Sequence, residues 1–151
     1  IKIKWPNDIL VNQHKISGIL IENNFTSTNI QHSVIGIGLN VNQDDFSEFE
    51  RTATSLKLLS NSVHSRDEIL EKICINFEKW YLKLKESKLE LIDKCYHDYL
   101  FEINKITLFV DTFNHKFSGR VKSVTKAGNL LLELEDDILK EFDIKEIKFL
   151  S

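Results

Sequence analysis

Three short segments near the start of the chain concentrate the residue types that handle anions. They are Lys4-Trp5-Pro6-Asn7-Asp8, Lys15-Ile16-Ser17-Gly18-Ile19-Leu20-Ile21-Glu22 and Ile35-Gly36-Ile37-Gly38-Leu39-Asn40-Val41-Asn42. Together they offer two lysine ammonium groups near the glycines, several carboxamides and the Asp8 carboxylate. Ammonium groups offset negative charge, carboxamides both donate and accept, and glycines let a ligand approach the backbone. Such a set suits an anionic, nucleotide-like ligand. Each residue also has an ordinary reading. An alternating-strand lysine is commonly solvated, Asp8 can cap the turn after Pro6, Gly18 can mark a bulge, and Asn40 can end a strand.

The elements that must hold these residues read as antiparallel strands. Ile1 to Lys4 alternates apolar and basic, and Pro6, the sole proline, interrupts the ladder. Ile9 to Val11 resumes a strand, Asn12 to His14 is a turn, and Lys15 to Glu22 is the next strand. Asn23 to Gln31 reads as a polar, exposed hairpin loop, and Ser33 to Val41 as an apolar strand. Gly36, Gly38 and Asn40 are two apart and share one face of it, which leaves a shallow trough ending at a carboxamide.

Beyond this the chain turns helical. Gln43 to Arg51 is an acidic loop or single turn, where Asp44, Asp45, Glu48 and Glu50 lack the spacing of a calcium loop. Thr52 to Leu59 predicts a short helix. Ser65 with Glu68 forms a capping box that starts a long one. Ile69, Ile73, Phe77, Trp80 and Leu84 recur at helical spacing and predict one buried face, with Trp80 and Tyr81 as core. A second helix spans about Leu89 to Leu100, with Leu91, Ile92, Cys95 and Tyr99 inward. From Ile106 the period returns to two. Ile106 to Val110, Lys116 to Val124, Leu130 to Glu135, Ile138 to Phe142 and Ile144 to Leu150 predict five short strands and a small barrel.

Composition sets the outer bounds. The 151 residues are 42% hydrophobic and 28% charged, which is the profile of a folded domain. A net charge of −3 with interspersed signs argues against nucleic acid as a partner, and no apolar run is long enough to span a bilayer. Cys74 and Cys95 fit neither a disulfide framework nor a metal motif, so they read as reduced core thiols of a cytoplasmic protein. The chain contains no methionine and begins inside a strand pattern, so it is read as the C-terminal part of a longer protein.

The three opening segments, in their order, resemble the central catalytic segments of the biotin–protein ligases. Ala53-Thr54-Ser55-Leu56 and the long helix after it resemble the same family further along, and the tail from about Ile106 is similar to its small C-terminal β-barrel domain. The resemblance implies an α+β fold. Residues 1–103 would be the C-terminal part of a catalytic domain with a mixed or antiparallel sheet, like that of class II aminoacyl-tRNA synthetases, and residues 104–151 an SH3-like barrel.

It also implies an ATP-dependent activation of biotin as biotinyl-5′-AMP, with Mg²⁺, and transfer to a lysine of the carrier domain of acetyl-CoA carboxylase. Lys15 would lie against the biotin carboxylate and the α-phosphate, with Lys4 as the second catalytic lysine. Gly18, Leu20, Gly36 and Gly38 would form the biotin pocket. Asn40, Lys4, Asn7 and Asp8 would hold ATP or the adenylate, with Asp8 a candidate Mg²⁺ ligand.

The family's Gly-Arg-Gly-type loop is absent from this sequence, which implies weak binding and no turnover by the piece alone. Ile144-Lys145 replace a Gly-Gly pair that some relatives carry near the last strand. A related lipoate or octanoate ligase is the rival among enzymes, and a non-catalytic interaction domain is the rival outside them. A homodimer through an exposed sheet edge stays open.

Overall fold

The computed structural model describes residues 1–27, 29–46 and 52–150. The chain divides into two compact units, Ile1–Ile92 and Asp93–Ser151. Among the described residues it is an α+β protein of two antiparallel sheets and three α-helices.

The first unit begins with a four-stranded sheet. Its strands are β1 (Lys2–Lys4), β2 (Asp8–Val11), β3 (His14–Thr26) and β4 (Asn29–Leu39), paired in chain order. Asn12 and Gln13 both have positive φ, so two residues suffice to turn β2 into β3. The hairpin of β3 and β4 reaches further than its polarity suggests. Most of the segment from Asn23 to Gln31 is strand, because its backbone continues the ladder and Ser33 Oγ donates to Asn23 Oδ1 at 2.6 Å across it. Polarity reported exposure there, and a solvated two-stranded ribbon is exposed too.

The predicted helix from Thr52 shortens to α1 (Leu56–Ser60), since Ala53 instead forms a parallel bridge to Lys15. Ser55, fully buried, is the N-cap of α1 and accepts from Leu58 N–H at 3.2 Å. The helix α2 (Arg66–Lys85) starts where the capping box predicts, with Ser65 Oγ accepting from Glu68 N–H. Its apolar face, however, is not core. Phe77, Trp80, Tyr81 and Leu84 are exposed, and so is Cys74; only Ile69 and Ile73 of the predicted face are half-buried. Helical periodicity shows that a face is apolar but not that anything covers it. The helix α3 (Leu89–Tyr99) follows.

Of the predicted inward side of α3, Leu91 and Tyr99 are exposed; Tyr96 and His97 are half-buried instead, and His97 Nε2 accepts the Val124 N–H at 3.1 Å. The five strands are β5 (Ile106–Asp111), β6 (Lys116–Val124), β7 (Leu130–Glu133), β8 (Leu139–Phe142) and β9 (Ile147–Phe149). They form one sheet in the order β8-β7-β6-β5-β9, and among the described residues β8 does not pair with β9 to close a barrel. Phe109, Val121, Leu130 and Leu132 are fully buried and form its core.

On this sheet Arg120 Nε and Lys122 Nζ both reach Glu133, at 2.9 and 3.1 Å. The Lys122 hydrogen bond, opposed by partial desolvation and joined by Arg120, holds the Glu133 carboxyl below its ordinary range. A carboxyl lowered by folding adds stability above its unfolded value and loses it as pH falls through the folded one. Acid titration should therefore destabilise this unit below the usual glutamate range, and Glu133→Gln should flatten that part of the profile. Thermal unfolding followed between pH 3 and 6 would check it; an unchanged acid limb in the variant would contradict it.

Candidate functional site

The four strands of the first sheet place the candidate residues in a row. Lys4 pairs with Asp8, Asp8 with Gly18, and Gly18 with Gly38. Residues opposed in this way across antiparallel strands share a face of the sheet. Leu20 opposite Gly36 forms the next row on the same face. Lys4 and Asp8 are buried, whereas Gly36, Gly38 and Leu20 are exposed. The row therefore runs from a charged, buried end to an open trough.

Lys15 joins this row through an irregularity. In a regular strand Lys15 and Gly18, three residues apart, would point to opposite faces. A β-bulge shifts the register between Ile9 and Leu10, so that Ser17 opposes Ile9 while Lys15 opposes Leu10. The Lys15 side chain comes round to the side of Gly18. A Cβ on Gly18 would meet Lys15 Nζ at 3.4 Å and Asp8 Oδ1 at 3.7 Å. The ammonium ends 2.5 Å from Asp8 Oδ1, with the lysine side chain 40% exposed and the aspartate 10%. A half-buried cation, oriented by a nearly buried carboxylate and open on one side, is equipped to meet an anion.

Backbone bonds then fix what surrounds it. Lys15 N–H donates to Thr52 C=O and Lys15 C=O accepts from Thr54 N–H, at 3.0 and 2.9 Å. Asn40 N–H donates to Ile16 C=O, and Asn40 Nδ2 to Thr54 C=O. Thus Asn40 lies one ladder step beyond the row, one of its carboxamide protons already engaged. Leu56 and Lys57 N–H groups donate to the carbonyls of Asn40 and Val41.

Asn42 makes a reciprocal pair with the backbone of His64, donating to its C=O at 2.8 Å and accepting its N–H at 2.9 Å. A cavity of about 400 Å³ opens beside it, lined by Ile37, Leu39, Asn40 and the first turns of α2. Ile37 and Leu39 alternate with Gly36 and Gly38, so their side chains lie on the opposite face from the trough.

The structure thus brings together Lys4, Asp8, Lys15, Gly18 and Gly38, with Leu20 and Gly36 adjoining. Asn7 is exposed in the turn after β1 and contributes its C=O to Ile19 N–H. Residues that sequence reading left without a role are Thr54, Ser55 and Asn42. The signal for the first two was the small polar pair Thr54-Ser55, both buried, between Ala53 and Leu56. Glu48 and Glu50 of the acidic loop lie outside the described residues.

The Mg²⁺ candidate from the sequence is Asp8. Asp8 Oδ1 is engaged by Lys15, and the described residues include no group of three or more His, Cys, Asp or Glu that could hold a metal ion.

Residues 1–40 match the Biotin/lipoate A/B protein ligase family. The chain is similar to the bifunctional ligase/repressor BirA of Bacillus spizizenii, 36% identical over 141 residues, covering 91% of this chain and 43% of that protein. It is similar also to the biotin–[acetyl-CoA-carboxylase] ligase of Paracoccus denitrificans, 34% identical over 86 residues, covering 54% and 36%. Among solved structures, a biotin protein ligase from Aquifex aeolicus superposes with a TM-score of 0.76 at 25% identity, covering 98% of this chain and 64% of that one. Another structure from Aquifex aeolicus, at 24% identity and a TM-score of 0.75, holds biotin and ATP. The chain spans less than half the length of the Bacillus relative.

Substitutions at two positions test this geometry without a ligand. Asn42→Ala should cost about 1–3 kcal/mol in chemical denaturation, because it strands both backbone groups of His64. Gly18→Val should separate Lys15 from Asp8 where Gly18→Ala, whose Cβ finds ordinary contacts, should not; the lysine ammonium signal in NMR would distinguish them.

Proposed function

We propose, on the premise that this chain carries a biotin/lipoate ligase family domain and is a homologue of the biotin–protein ligases, that it is part of an ATP-dependent ligase for biotin. The whole protein would join biotin to a lysine of a biotin carboxyl carrier domain in the cytoplasm. The observation that carries the reading is the Lys15 ammonium, held by Asp8 over Gly18 at the head of a glycine trough.

In the first step a biotin carboxylate oxygen attacks the α-phosphorus of ATP. A P–O bond forms, the bond to the β-phosphate oxygen breaks, and pyrophosphate leaves, giving biotinyl-5′-AMP. Two anions must approach for this, and a positioned ammonium offsets their repulsion and the charge that gathers in transit. Lys15 has the exposure for that role, and Asp8 keeps it from swinging into solvent. Lys4, buried at the closed end of the row, adds positive charge behind it.

Gly18, Gly36 and Gly38 leave the floor clear for the ligand, Leu20 packs on its apolar part, and Asn40 presents a carboxamide to the adenine edge while Asn7 and Asp8 border the phosphates. In the second step the carrier's lysine amine attacks the acyl carbon, an amide bond forms and AMP leaves. No enzyme nucleophile is required. Mg²⁺ would enter with the phosphates of ATP, with Asp8 as the candidate carboxylate beside it.

A lipoate or octanoate ligase remains the rival within the same family, since the family name covers both acids. Lys-Trp-Pro-Asn-Asp and the Gly-x-Gly-x-Asn block favour biotin. A homodimer through the free edge of β4 is compatible with either acid.

Lys15→Ala in the complete protein should lower biotin-dependent ATP–pyrophosphate exchange by about 100-fold or more, the scale of losing one charged transition-state contact. Full exchange activity in that variant would remove Lys15 from the mechanism.

A further inference from the structure

The second unit carries a groove of about 880 Å³ lined by residues of that unit. Its floor is apolar and aromatic. Phe117 stacks on Phe142 with ring centroids 5.6 Å apart, and on the fully buried Phe109 at 5.7 Å. Leu108, Phe113 and Ile138 also line the groove and remain 55, 78 and 57% exposed. They leave an open apolar surface beside the aromatic floor.

The rim is acidic. Asp111, Glu135, Asp136, Glu141 and Glu146 line the groove against Lys116 and Lys140. Asp111 accepts from the Phe113 and His115 N–H groups, Glu141 from Asn129, and Glu146 from Asp143 N–H. Glu135 and Asp136 form no side-chain hydrogen bond or ion pair among the described residues. The floor already accommodates a cation, because Lys140 Nζ lies 4.8 Å from the centre of the Phe142 ring. One flank is β8, an edge strand of its sheet.

We propose that this groove docks an extended segment of a protein partner in which apolar side chains alternate with lysine or arginine. The aromatic floor takes the apolar side chains out of water, and the unpaired carboxylates meet the cations. An extended backbone matches the edge of β8, which can accept one more strand. The negative rim repels nucleic acid and acidic peptides alike.

The test uses the whole chain, isotope-labelled, with two blocked pentapeptides: one alternating lysine and phenylalanine, the other glutamate and phenylalanine. The lysine peptide should shift amide signals of Phe113, Phe117, Ile138 and Glu141 in a saturable way and bind at least about tenfold more tightly than the glutamate peptide. Glu135→Gln with Asp136→Asn, which keeps an αL-tolerant residue at position 136, should reduce that preference several-fold at an unchanged melting temperature. Equal binding of both peptides, shifts confined to other residues, or an unaltered preference in the double variant would overturn the proposal. Concentration-dependent broadening of the same signals without peptide would assign the groove to a second copy and would overturn it too.

Discussion

The contact between Lys15 and Asp8 across Gly18 is the constraint around which the first unit is built. It needs three things at once: a carboxylate in register with Gly18, a missing side chain at that position, and a bulge that brings Lys15 to the same face. None of these has a strong reason to exist in a sheet selected for stability alone. A half-exposed ion pair contributes little to folding, a strand glycine weakens pairing, and a bulge interrupts the ladder. Local features that cost stability together at one place are characteristic of a site held ready for a ligand.

The surroundings serve the same contact. The bridge from Thr52 to Thr54 runs beside Lys15 and bonds both its backbone groups, while also fixing the Asn40 carboxamide. Ser55 then caps α1, whose first amides take the carbonyls of Asn40 and Val41. Asn42 ties the exit of β4 to His64 just ahead of α2. Four short elements therefore converge on the end of one strand, and the polar residues between them are structural in the first instance. That is how a loop-rich rim around the candidate site can be rigid without a large core.

Much of this was legible in the sequence. The strand alternation, the Ser65 capping box, the period change near Ile106 and the glycine trough all follow from local pattern, and local pattern is what a sequence displays. What the pattern does not carry is pairing partner and cover. The bulge that turns Lys15 toward Gly18 arises from register between two strands, and no periodicity encodes it. Ala53 pairs with Lys15 across more than thirty residues of chain, so a local reading placed it in a helix. The apolar stripe of α2 implied a core, yet Phe77, Trp80 and Leu84 remain exposed, because amphipathicity says which side would be covered and not by what. The same limit applied to Cys74 and to the inward side of α3.

The central claim is that the row from Lys4 to Gly38 serves the adenylation of biotin. The most direct measurement is ATP–pyrophosphate exchange by the complete protein with biotin, lipoate and octanoate offered one at a time. Exchange that depends on biotin and stays at background with the other two acids is the predicted result. Exchange driven by lipoate or octanoate instead would keep the fold and the charged row but contradict the substrate, and silence with all three would contradict the reaction itself.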